Sequence, residues 1–126
     1  MVAADCRTAL RFALSPGNAH DAPEGRKLLS DCGKSEGKRF LLMDRAYEGG
    51  ETRQLALSLG FEPVVPPKSN RLDPWEYDKE MYKRRNEIER LFRRLKGFRR
   101  IFSRFEKLDA LYIGFIYFVL IIEALR

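Results

Sequence analysis

An α/β fold with some parallel strand pairing is the architecture this sequence predicts, on three observations. Short apolar runs alternate with helical patterns in the order strand, helix, strand, helix. The run Arg-Phe-Leu-Leu-Met at 39–43 is compact and flanked by polar residues, which are the length and borders of a buried strand. Ile88, Leu91, Phe92, Leu95 and Phe98 recur at helical spacing and make one apolar stripe.

In chain order, residues 2–5 read as a strand end and 10–15 as a second strand, followed by the turn Pro16-Gly17-Asn18. A helix over 22–31 is predicted next, with Asp21 as its N-cap and Pro23 in the first turn. After a loop at 33–37 comes the strand at 39–43, which Asp44 ends. Gly49-Gly50 breaks the chain, and a short helix over 51–59 stops at Gly60. The next strand, 61–65, closes on Pro66-Pro67, and a polar loop runs to about residue 76. Residues 77–96 predict one long helix, and 108–125 an apolar one. There is no internal repeat, no low-complexity tract and no domain boundary, so the 126 residues are expected to form a single domain spanning 1–126.

Charge is unevenly distributed. The chain carries 24 Lys and Arg against 18 Asp and Glu, a net +6. Residues 83–107 alone hold eleven bases and three acids, or +8, so the remainder sums to −2. Focused positive charge suits a polyanion, although a solvated helix face reads the same way on charge alone. The two cysteines lack metal-ligand spacing and there is one His, so a reducing cytosol is the expected setting. The thirteen uncharged residues at 110–122 fall short of the about twenty a bilayer span needs, which predicts a buried core helix and no membrane.

Two places could carry chemistry. Asp44 sits where an apolar strand stops, the end of a strand at which α/β sheets collect functional groups; it also suits a turn former or a helix cap. On one continuous helix, Tyr82, Arg85, Glu89 and Lys96 would fall within roughly 60° of arc, putting a phenol, a guanidinium, a carboxylate and an amine in a column. An Arg–Glu pair four residues apart on a solvated face is the plainer account. Beyond them Arg90, Arg93, Arg94, Arg99, Arg100 and Arg104 interleave with Phe92, Phe98, Phe102 and Phe105. Arginine forks suit phosphate oxygens, while aromatics at helical spacing suit a core.

These residues resemble a known family. Met43-Asp44-Arg45-Ala46-Tyr47 is similar to the D-R-[AG]-Y element of bacterial insertion-sequence transposases with a DDE catalytic domain. Tyr82, Arg85, Glu89 and Lys96 match their Y-R-E-K signature at every spacing. Pro66-Pro67-Lys68-x-Asn70-Arg71, Tyr77-Asp78-Lys79, Arg85-Asn86-x-Ile88-Glu89-Arg90 and the segment from Ser15 to Asp21 also resemble the family, in order along nearly the whole chain.

The resemblance implies a ribonuclease-H-like mixed sheet with flanking helices, truncated at the N-terminus so that the opening strand and the first catalytic Asp are missing. It maps Asp44 onto the second catalytic Asp and Glu89 onto the Glu, both as metal ligands. Asp5 is the one early candidate for the first Asp, and its position matches a turn instead. Mg²⁺ is the implied cofactor, with Mn²⁺ able to substitute, because hard cations take carboxylate oxygens. Tyr82, Arg85, Lys96, Arg90, Arg93, Arg94, Arg99 and Arg100 are the implied DNA contacts. The implied partners are transposon-end and target DNA, with a second copy of the chain or an upstream transposase fragment, in a cytoplasmic, nucleoid-associated setting. A catalytically inactive DNA-binding remnant or regulator of transposition is the alternative. His20 is expected to be structural and Arg45 to pair locally with a carboxylate.

Overall fold

A computed structural model describes all residues except Gly17, Arg100, Phe102, Ser103, Phe105 and Glu106. The expectations placed on Arg100, Phe102 and Phe105 therefore lie outside the described residues. The chain divides into two compact units: Arg11–Arg85 together with Met1, and Val2–Leu10 together with Asn86–Arg126.

The first unit is built on two parallel strands. Strand β3 (Arg39–Leu42) pairs with β4 (Phe61–Val64), in the register Arg39 to Phe61 through Leu42 to Val64. Between them helix α2 (Gly50–Ser58) makes the crossover that parallel pairing requires. Gly60, with φ of +85°, turns the chain out of α2 where a side chain would be strained. Helix α1 (Asp21–Cys32) packs on α2, burying Leu28 and Leu29, while Thr52 and Ala56 are the buried residues of α2. Arg26 ties the two helices, donating to Thr52 Oγ1 at 3.2 Å and pairing with Glu51 at 3.3 Å.

Several expectations for this unit shift by a residue or two. Helix α1 starts one position earlier than expected, at Asp21, and His20 takes the N-cap place with no side-chain cap bond. The strand at 39–43 is partly open: Arg39 and Phe40 are exposed, and burial begins only toward Met43. A two-stranded sheet covers less of each strand than the mixed sheet that the resemblance implies.

The expected long helix over 77–96 is not continuous. Helix α3 (Lys79–Tyr82) is capped by the Asp78 carboxylate, which accepts from Met81 N at 3.0 Å. A 3-10 turn at Lys83–Arg85 follows, then helix α4 (Asn86–Lys96). A 3-10 turn winds three residues per turn against 3.6, so the column drawn on one uniform helix does not run unbroken from Tyr82 to Lys96.

In the second unit, β1 (Val2–Ala3) pairs with β2 (Ala9–Arg11) in a two-stranded sheet. The turn between them is held by Asp5, whose Oδ1 accepts from Arg7 N at 2.8 Å and Thr8 N at 2.9 Å. Helix α4 contacts α5 (Asp109–Leu125), and Leu91, Leu95, Ile116 and Val119 are the buried apolar residues of the pair. The expected burial of 108–125 holds for one face only; Leu111, Tyr117, Phe118 and Ile121 are each more than half exposed. Phe92 of the predicted stripe is also exposed. Among the described residues no helix is long and apolar enough to cross a membrane.

Candidate active site

Asp44 stands just past the carboxyl end of β3. The ladder extends one residue beyond the strand, because Met43 N donates to Val64 O at 3.0 Å, and Met43 is buried. The chain then leaves the sheet in a 3-10 turn, Arg45–Tyr47, for which Asp44 is the N-cap. One carboxylate oxygen accepts from Arg45 N at 2.5 Å, and Tyr47 N donates to the Asp44 carbonyl at 2.9 Å. The plain reading of Asp44 as a turn former is thus correct as far as it goes.

The other oxygen of Asp44 lies 3.4 Å from Arg85 Nη2. The Asp44 side chain is 54% exposed, so this pair is screened and is replaceable by another partner at small cost. Tyr82 stands in the same electrostatic neighbourhood. Burial pushes its phenol upward; Arg85 opposes that and Asp44 adds to it. Its ring meets Tyr77 edge-on, with centroids 5.7 Å apart. Two stretches read separately, D-R-A-Y and the first half of Y-R-E-K, are therefore neighbours in this unit.

In the second unit α4 carries Glu89, which is exposed, as are Arg90, Arg93, Lys96 and Arg99. Arg94 is half-buried and points to a different role: its Nη1 is 3.6 Å from the Glu123 carboxylate, which is 1% exposed and also meets Arg126 at 3.3 Å. Glu87 accepts from Cys6 N at 3.0 Å.

Taken singly, two side chains offer the oxygen donors that a hard divalent cation accepts. Asp44 and Glu89 are exposed carboxylates, and oxygen donors are what such ions take. Among the described residues, no group of three or more His, Cys, Asp and Glu side chains is placed to hold a metal ion. Asp5 is committed to its turn, where the Arg7 amide, followed by further hydrogen bonds from Thr8, holds its carboxyl below the usual range.

Residues 1–122 match the family described as Transposase DDE domain. The chain belongs to that family. A Brucella ovis protein, named as a candidate transposase for insertion sequence element IS6501, is 31% identical over 109 residues, 86% of this chain and 82% of the relative. No solved structure matches. The mixed α/β arrangement agrees with a DDE transposase domain, whose chemistry is divalent-metal-dependent polynucleotidyl transfer on DNA.

Sequence reasoning about the transposase missed an ion pair just past the turn that follows Asp44. Glu48, one residue past the D-R-A-Y element, has a buried side chain. It accepts from Arg71 Nε at 2.7 Å and Arg71 Nη2 at 3.2 Å, and Lys68 N approaches it at 3.4 Å. The Arg71 hydrogen bond foremost holds the Glu48 carboxyl below its ordinary range. The family-like segment containing Lys68 and Arg71 was the available signal, but 23 residues separate Arg71 from its acid.

Proposed function

We propose that this chain supplies Asp44 and Glu89 as carboxylate ligands for Mg²⁺, with Mn²⁺ able to substitute, in the DNA cleavage and strand transfer of a complete insertion-sequence transposase. On this reading residues 1–126 make up one partial catalytic domain, and an upstream fragment adds the first Asp. The observation that carries the proposal is the 3.4 Å approach of Arg85 to Asp44, since it joins two separate family elements at the end of a parallel strand.

Divalent ions bound there would activate the attacking hydroxyl and stabilise the leaving oxygen. The chain's own residues do the rest. Asp44 offers the oxygen that now faces Arg85. Arg85 then turns its guanidinium to a phosphate, which its planar fork suits. Lys96 neutralises the backbone alongside Glu89, and Tyr82 orders the strand to be cut. Arg90, Arg93, Arg94, Arg99 and Arg100 hold flanking DNA through phosphates, without reading bases. Arg94 does so only by loosening its pair with Glu123, so it ranks last among them. The partners are transposon-end and target DNA, with a second copy of the chain or the upstream fragment, at the nucleoid.

The test is Mg²⁺-dependent nicking by the transposase completed with an Asp-bearing upstream fragment. Asp44→Asn and Glu89→Gln should each lower the rate at least about 100-fold, since even outer partners of metal ligands cost about 10–100-fold. Full activity in Glu89→Gln rejects the assignment.

A second reading, DNA binding without cleavage that regulates transposition, is favoured by one observation: Arg90, Arg93, Lys96 and Arg99 are all exposed. It predicts salt-sensitive binding by the 126-residue chain, with a log–log slope that becomes shallower by about one for each phosphate-contacting arginine removed. Salt-insensitive binding rules that reading out.

A further inference from the structure

The turn that carries Asp44 is pinned from two directions by residues to which the proposed chemistry assigns no role. On one side Tyr47 lies against Gly25 of α1, so closely that a methyl group at Gly25 would sit 2.4 Å from Tyr47 Cε1. On the other, Glu48 closes the turn, its N–H donating to Arg45 O at 3.2 Å, and its side chain takes both arms of the Arg71 fork. Paired parallel bonds of this kind set orientation as well as distance.

Arg71 is itself held. Its guanidinium lies 4.7 Å over the ring of Trp75, and Arg53 of α2 lies 3.7 Å from the same ring. Cations over an indole face are drawn to its quadrupole. Trp75 in turn donates from Nε1 to Val65 O at 2.9 Å, and Val65 is buried directly after β4. The loop at 66–75 therefore returns to the strand end it left. It brings a fixed guanidinium to Glu48, four residues beyond Asp44.

We infer that Glu48 and Arg71 are positioning residues, which act through the Arg45–Tyr47 turn to aim the Asp44 carboxylate. The inference rests on the reading of Asp44 as a metal ligand. It assigns a purpose to the Pro-Pro-Lys-x-Asn-Arg segment, which the chemistry alone leaves without one. Asp44 is exposed, and its oxygens meet only a backbone N–H and a screened guanidinium among the contacts described above. Its aim is set by the backbone that presents it, and that backbone is closed by a buried, doubly bonded acid.

The experiment is an amide NMR titration of the full chain with Mn²⁺ alone, following paramagnetic broadening at Asp44, Arg45 and Ala46, with thermal melts run in parallel. Glu48→Gln keeps the side chain's size and removes its charge. It should raise the Mn²⁺ concentration for half-broadening about 10-fold or more, as losses around metal ligands do. Arg71→Lys keeps the charge and loses the fork; it should fall between Glu48→Gln and the parent, and it serves alone if Glu48→Gln does not fold. Folded variants that broaden at the parent's Mn²⁺ concentration overturn the positioning role while Asp44 stands. Broadening that survives Asp44→Asn, or never occurs in the parent, removes the ligand reading and the inference with it.

Discussion

Among the described residues, each unit of this transposase domain buries one glutamate, and the two are kept differently. Glu48 makes two hydrogen bonds to one guanidinium and meets a backbone N–H, in a turn beside the candidate catalytic Asp. Glu123 is more deeply buried, yet it meets Arg94 and Arg126 at 3.6 and 3.3 Å, and its Oε2 has no hydrogen-bond partner among the described residues. A buried charge with full hydrogen bonding can specify a local geometry; one held by looser ion contacts adds little net stability. The first unit thus owes the order of its site to polar contacts, whereas the second owes the α4–α5 pairing to an apolar seam.

The largest expected effect probes that seam. Leu91 is fully buried, so Leu91→Ala should cost about 2–5 kcal/mol in chemical denaturation. A cost near zero would mean that the glutamate, not the seam, joins the helices.

Acid should act next, and chiefly on the first unit. The Glu48 carboxyl is depressed below its ordinary value of 4.5, so its contribution is present above that value and lost as pH falls through the lower folded one. Melting between pH 7 and pH 3 should therefore show a loss that Glu48→Gln flattens. Asp5 carries the same sign in the second unit, but it is exposed and its share is smaller. An undiminished acid loss in Glu48→Gln would remove the distinction between the units.

The smallest effect is expected from Glu123→Met. Arg94 and Arg126 are partly exposed and can rehydrate, so stability should stay within about 1 kcal/mol of the parent, in either direction. A large loss would show that the looser pair matters as much as the tighter one.

Much of the first unit was legible from sequence. Strands at 39–42 and 61–64, the helix between them and their parallel pairing follow from short apolar runs and glycine punctuation. Asp44 at a strand end was legible for the same reason. The break at Lys83–Arg85 was not. Lys and Arg are good helix formers, and no glycine or proline marks the place. Instead Tyr82 engages Tyr77, and Arg85 engages an acid 41 residues away. Nor does an apolar pattern reveal how much of a helix its neighbours cover, which is why α5 keeps an exposed apolar face.

The residues alone were enough to decide the family, the α/β class and which carboxylates are candidates, because periodicity and motif spacing are local and survive in one dimension. The tertiary structure decided which oxygen of Asp44 meets Arg85, that Asp5 is spent on a turn, and that Glu48, four residues past Asp44, meets Arg71. Those contacts join residues far apart in sequence, and only the closing of the chain brings their charges within reach of one another.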